Sequence, residues 1–190
     1  MAKDSQRLEQ EFISTAREKT GRGVPEWMAI ISTSGLSKPN EILKWLKEQH
    51  GLNHLQANFL SGIYLNDGQP VFDYAVLFEK LFAGKADLLP VYQALEQQIQ
   101  ATFSDVELIP TKAYISIEAK RIFACATMMK SSMRLGLDLG DAPFEGRVQK
   151  AKGLGAMPNL THMVEISSAS EVDAEVVDLL KAAYQHAHHK

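Results

Sequence analysis

Midway along the chain the spacing of apolar residues changes from that of a helix to that of a strand, and this limits the fold more than any motif does. In "MRLGLDLG", residues 133–140, Met133, Leu135, Leu137 and Leu139 alternate with Arg134, Gly136 and Asp138. A period of two places the first set on one face of a strand and the second set on the other. "AYISI" repeats the pattern, with Ala113, Ile115 and Ile117 set against Tyr114 and Ser116. "RIFACATM" is a nearly continuous apolar run, as expected of a strand covered on both faces. The intervening "EAKR" and "MKSS" are short enough for hairpins, so these strands form an antiparallel meander, and "THMVEI" supplies a last short strand.

Before this region the repeat is helical. Leu8, Phe12 and Ala16 fall four residues apart in a polar helix over about Ser5–Lys19, which "TGRG" ends. Gly23 caps a helix carrying Val24, Trp27, Ile30 and Ile31, with Pro25 in the first turn where proline is tolerated. Gly35 ends that helix. Ser37 is the expected cap of the next, whose face holds Ile42, Trp45, Leu46 and Gln49 and which Gly51 stops. Asn53 and Gln56 have capping-box spacing and open a fourth helix, with Leu55, Phe59 and Ile63 expected inward. "LNDGQP" reads as turn chemistry and a boundary. Two helices follow, about Asp73–Ala83 and Ala86–Phe103, and a final one spans about Glu171–His186. The expected fold is α+β: a helical module over residues 1–66, then a two-layer domain over 71–190 with flanking helices and an antiparallel sheet of about four or five strands.

Composition removes several classes of function. Twenty Lys and Arg against 23 Asp and Glu give a net charge of −3, so nothing global points to nucleic acid or an anionic membrane. No apolar run approaches membrane-spanning length, and "MAKDSQRLEQEF" has no apolar leader core. Cys125 is the single cysteine, which excludes an internal disulfide and fits a reducing cytoplasm.

The stretch "TGRGVPEWMAIISTSGLSKPNEILKWLKEQHGLNHLQANFL" resembles a bacterial domain of unknown function, number 4287. The matching residues include Thr20-Gly21, Trp27, Gly35-Leu36, Trp45-Leu46-Lys47, His50-Gly51-Leu52 and Ala57-Asn58. "VYQAL", "PTKAYISI", "FACATM", "RLGLDLG", "THMVEI" and "EVDAEVVDLLKAAYQHA" resemble the domain of unknown function 5655 that often follows it. The resemblance implies the two-part architecture and carries no activity with it. Met163 stands where similar sequences carry a basic residue after the Thr-His pair.

Three constellations are candidates for chemistry. The first is an anion or partner site on the α+β domain, which makes the chain a non-catalytic binding protein. Its cleft would combine the polar strand face (Tyr114, Ser116, Arg134, Asp138) with the loop 140–160, where Arg147, Lys150 and Lys152 accompany Gly153 and Gly155. Cations and backbone N–H groups in such a loop suit phosphate or carboxylate. Lys112 and His162 complete this candidate set, His162 also reading as a satisfied core residue because it alternates with Val164 and Ile166. The second is a helix-turn-helix over Glu41–Leu60, with Asn53, His54 and Gln56 facing bases and Lys44 and Lys47 on phosphates. The absence of any Lys or Arg in its second helix disfavours it, because duplex affinity rests on phosphate neutralisation. The third is a metal-dependent nuclease built on Asp105, Glu118 and Lys120, although Glu118 and Lys120 fall in an expected hairpin turn. His50 and His54 are separated by Gly51 and a cap, and His186, His188 and His189 are expected in a frayed tail, so no metal site is read from them. No P-loop, Rossmann or G-x-S-x-G pattern is present, and no cofactor is expected.

Overall fold

Helices fill the chain as far as Thr102 and strands begin at Glu107, as the change of period requires. The structure, a computed structural model, describes residues 5–154, 157 and 159–188. Two units divide the chain, one running through Asp73 and the other starting at Tyr74.

The first unit holds four helices: α1 (Ser5–Thr20), α2 (Val24–Thr33), α3 (Pro39–His50) and α4 (His54–Leu65). Phe12, Ala16, Trp27, Ile31, Ile42, Leu46, Ala57 and Leu60 form its core. Pro39 takes the first helical position of α3, so the cap is Lys38 and not the expected Ser37. Gly51 closes α3 in the left-handed region at φ 67°, where a side chain would be strained. Asn53 Oδ1 then accepts the Gln56 N–H at 2.9 Å, and Gln56 Oε1 accepts the Asn53 N–H at 3.0 Å. Leu55 departs from expectation, for it is 52% exposed while Phe59 and Ile63 are buried. The buried arc of α4 centres on Leu60, about 140° around the helix from Leu55. Leu52, in the turn, is buried at that end of α4 instead. The unit extends past α4, because the buried Glu9 carboxylate accepts the N–H groups of Val71 and Phe72 at 3.0 and 2.8 Å.

The second unit begins with α5 (Tyr74–Phe82) and α6 (Leu89–Thr102), joined by a 3₁₀ turn. Six strands follow: β1 (Glu107–Pro110), β2 (Ile115–Glu118), β3 (Ile122–Met128), β4 (Met133–Leu137), β5 (Gln149–Lys150) and β6 (His162–Ile166), before α7 (Ala174–His188). They form one sheet in the order β1-β2-β3-β4-β6-β5, each pair antiparallel. The sheet has more strands than the four the periodicity marks. Its extra members, β1 and β5, are edge strands of four and two residues, too short to display an alternating pattern.

Cross-strand register separates the two faces. Leu135 lies opposite both Ala126 and Val164, and these join Ile115, Ile117, Met133, Leu137 and Ile166 against α6 and α7. The other face carries Ser116, Cys125, Gly136 and Met163 in one row and Thr127, Arg134 and Glu165 in the next. Leu154 and Leu160, from the segment after β5, bury Cys125 and Met163 on that outer face. Gly136 permits this cover, since a Cβ there would stand 2.5 Å from Leu154 Cδ1. Among the described residues no helix is long and apolar enough to cross a membrane.

Candidate functional site

Pairing of β3, β4 and β6 builds a polar row on the outer face. Thr127 is registered with Arg134, and Arg134 with Glu165, so the three side chains lie on adjacent strands. Arg134 Nη1 donates to the Lys152 carbonyl at 3.3 Å, and its guanidinium sits so close to Gly153 that a Cβ there would meet Nη1 at 2.7 Å. Its Nε lies 3.8 Å from Glu165 Oε1, too long for a hydrogen bond. Ser132 Oγ donates to that same Oε1 at 2.6 Å. Arg134 Nε is buried without a hydrogen-bond partner, and Thr127 Oγ1 is buried with only the Cys125 thiol beside it. The Arg134 and Glu165 side chains are nonetheless 18% and 36% exposed.

Three titratable groups on this face respond to burial. The Cys125 thiol is pushed up to about 11 by desolvation, partly offset by the Thr127 hydroxyl and the Gly136 N–H, so it is a protonated, inert thiol at neutral pH. Burial raises the Tyr114 phenol, with smaller contributions from Cys125 and Glu118. Burial also raises the Glu118 carboxyl, Glu107 adds to this, and a hydrogen bond from Ser116 opposes it.

Of the candidate anion set, Tyr114, Ser116 and Arg134 share this face with Ala151, Leu154, Met157 and Leu160, and Gly155 lies outside the described residues. The other members are placed elsewhere. Asp138, four residues beyond Arg134, is about 13 Å along the strand direction from it. It is buried and pairs with Arg121 Nη2 at 2.8 Å and His186 Nε2 at 3.5 Å. Arg147 is held by Asp173 at 2.9 Å and by the Glu171 carbonyl at 2.9 Å. His162 is opposite Leu137, on the helix-covered face, with Nδ1 2.8 Å from Thr161 Oγ1 and Nε2 2.8 Å from the Ala142 carbonyl. Both ring nitrogens are thus occupied. Lys112 is exposed in the β1–β2 turn, and Lys150 is exposed on the edge strand β5.

The residues of the other two constellations are likewise located. Asn53 and Gln56 are engaged with each other's backbone, His54 is exposed, Lys44 is 3.9 Å from Glu48, and Lys47 is exposed on α3. Asp105 accepts the Tyr184 hydroxyl at 2.9 Å, Glu118 contacts Ser116 in its own strand, and Lys120 is exposed in the β2–β3 turn. Among the described residues no group of three His, Cys, Asp or Glu is placed to hold a metal. His186 and His188 do not fray: α7 continues through them, and they approach Asp138 and Asp105. His189 lies outside the described residues.

The profile described as Domain of unknown function (DUF5655) matches residues 78–187, more than half of the chain. The chain belongs to the DUF5655 family. A second profile, Domain of unknown function (DUF4287), matches residues 9–64, within the helical unit. No curated protein and no solved structure matches the chain significantly.

Within the DUF5655 unit, Thr127, Ser132, Glu165 and the Lys152 carbonyl are site groups that sequence reasoning passed over. Glu165 was accessible in principle, for it alternates with Met163 against Val164 and Ile166 in "THMVEI". What periodicity does not supply is which strand β6 pairs with, and only that pairing sets Glu165 beside Arg134.

Proposed function

We propose that this DUF5655 protein is a non-catalytic binding protein whose α+β domain holds a small ligand by an anionic group at Arg134. One observation carries the reading. Arg134 Nε is buried and lacks a hydrogen-bond partner, and its cross-strand neighbour Thr127 Oγ1 is buried with only the Cys125 thiol beside it. An unmade hydrogen bond at a buried group costs about 1–3 kcal/mol, and more where the group is charged. A buried guanidinium N–H without an acceptor, beside a hydroxyl with only a thiol, is best explained by an external acceptor. The covering segment supplies a wall through Leu154, and Tyr114 a polar-tipped aromatic on the same face. A buried, protonated Cys125 suits a reducing cytoplasm. The helical module is then a partner surface. A duplex-DNA reading is supported less well, because Lys38 and Lys44 are matched by Glu41 and Glu48 in their own helix.

The test is a thermal-shift screen of the full chain against small carboxylates, phosphates and zwitterions, repeated with Arg134→Gln. A ligand bound only by the folded state raises the melting temperature, by about 2.7 kcal/mol of stabilisation at a hundredfold excess over Kd. The expected result is a shift for at least one compound that the variant loses. No shift across the screen, or salt-dependent retention on duplex DNA in its place, overturns the proposal.

A further inference from the structure

Charge around the row narrows the ligand class, and the argument rests on the site proposed above. We infer that the ligand is a zwitterion of the α-amino-acid type, its carboxylate on Arg134 and Thr127 and its ammonium on Glu165. Arg134 is not a lone cation awaiting an anion, since Glu165 stands next to it on the adjacent strand with Oε1 3.8 Å from Nε. The pair is locally neutral. A phosphate dianion placed on Arg134 would therefore press against a carboxylate, which like-charge repulsion in a half-buried site disfavours.

Donor and acceptor accounting leads to the same class. The row offers one charged donor without a partner, Arg134 Nε, and one hydroxyl engaged by nothing stronger than the Cys125 thiol, Thr127 Oγ1. Glu165 Oε1 takes the Ser132 hydroxyl, while no described group donates to its Oε2. A charged donor thus lies beside a free carboxylate oxygen, on residues paired across adjacent strands. A ligand that satisfies both carries an anion and a cationic donor one or two bonds apart, as an α-amino acid does. A simple carboxylate satisfies Arg134 and leaves Glu165 facing a like charge, and a simple amine does the reverse.

The experiment is calorimetric titration of the full chain with the standard L-α-amino acids, and with acetate, methylamine and inorganic phosphate as single-function probes. At least one amino acid should bind, with the three probes at least tenfold weaker. Glu165→Gln should weaken that amino acid at least tenfold while leaving acetate unchanged or tighter, and Arg134→Gln should abolish both. Thr127→Val, which keeps side-chain volume and strand propensity, checks that losses do not report misfolding; it should weaken the carboxylate probes severalfold with unchanged circular dichroism. If acetate or phosphate binds as well as any amino acid, or Glu165→Gln leaves amino-acid affinity unchanged, the zwitterion assignment falls and the Arg134 site stands. If nothing binds, both fall.

Discussion

At the scale of single residues, Glu118 shows how the outer face balances burial against charge. It ends β2 directly opposite Glu107 of β1, and like charges placed across two strands are destabilising. Burial is the larger influence and Glu107 the smaller, and both raise its carboxyl above the ordinary value. A folded-state value raised above the unfolded one favours the protonated form in the fold. The advantage of the native state is then complete below the unfolded value and is lost as pH rises through the folded one. Glu118→Gln removes that loss and keeps an acceptor for the Ser116 hydroxyl. The variant should melt roughly 2 °C higher at pH 7, about what a fraction of a kcal/mol gives a chain of this size. Below pH 4 the gain should vanish. Thermal melts of both proteins from pH 3 to 8 decide it, and an equal shift at both ends would place the effect in packing and not in charge.

Elements are where sequence and structure can be compared most directly. β2, β3, β4 and β6 were legible because each buries alternate residues, or nearly all of them, and burial writes the period into the sequence. β1 and β5 were not, since "ELIP" and "QK" are short edge strands that contain no fully buried residue. The caps at Gly51 and Asn53 were legible as local chemistry, whereas Pro39 displaced the expected Ser37 cap. Half of the candidate site was visible on the same principle, because Tyr114, Ser116 and Arg134 are fixed to one face by alternation. Asp138 obeys that alternation too, yet β4 ends at Leu137 and the chain turns Asp138 towards Arg121 and α7. Thr127 and Glu165 needed strand order, which no local pattern encodes.

The cover of the outer face belongs to this same scale, and Gly136→Ala tests it. Alanine would lower the entropy of the unfolded chain, worth about 0.4–1 kcal/mol in favour of folding. Its Cβ would fall 2.5 Å from Leu154 Cδ1 and 3.1 Å from Cys125 Sγ, and overpacking costs about 1–3 kcal/mol. Overpacking should win by about 1 kcal/mol, since Leu154 can yield and the strand cannot. The consequence is a lifted segment over Cys125. Labelling of the thiol by a maleimide should accelerate severalfold in the variant, and rates equal to the parent protein would show that Leu154 does not seal that face.

For the whole molecule, the informative question is where the helical unit stops. The DUF4287 match ends at residue 64 and turn chemistry begins at Leu65, but the compact unit continues through Asp73. The reason is Glu9. Its carboxylate is 1% exposed and is satisfied by two N–H groups that lie 62 and 63 residues later, at Val71 and Phe72, and Phe72 also packs on the core of this unit. A fragment of residues 1–73 keeps those donors; a fragment of residues 1–66 leaves a buried anion with neither. Each lost bond to a charged group is worth about 1.5–3 kcal/mol. A unit of this length buries only about 60% of its unfolded surface and has little stability to spare. The longer fragment should therefore unfold cooperatively in urea, and the shorter one should be less stable by about 3 kcal/mol or more. Glu9→Gln separates this cause from simple loss of chain. In residues 1–73 it should destabilise, because a neutral amide accepts the two N–H groups less strongly than a carboxylate. In residues 1–66 it should be neutral or stabilising, because it removes a charge that has lost its partners. The same sign in both fragments would mean that residues 67–73 matter for packing alone and that Glu9 does not tie the end of the unit to its first helix.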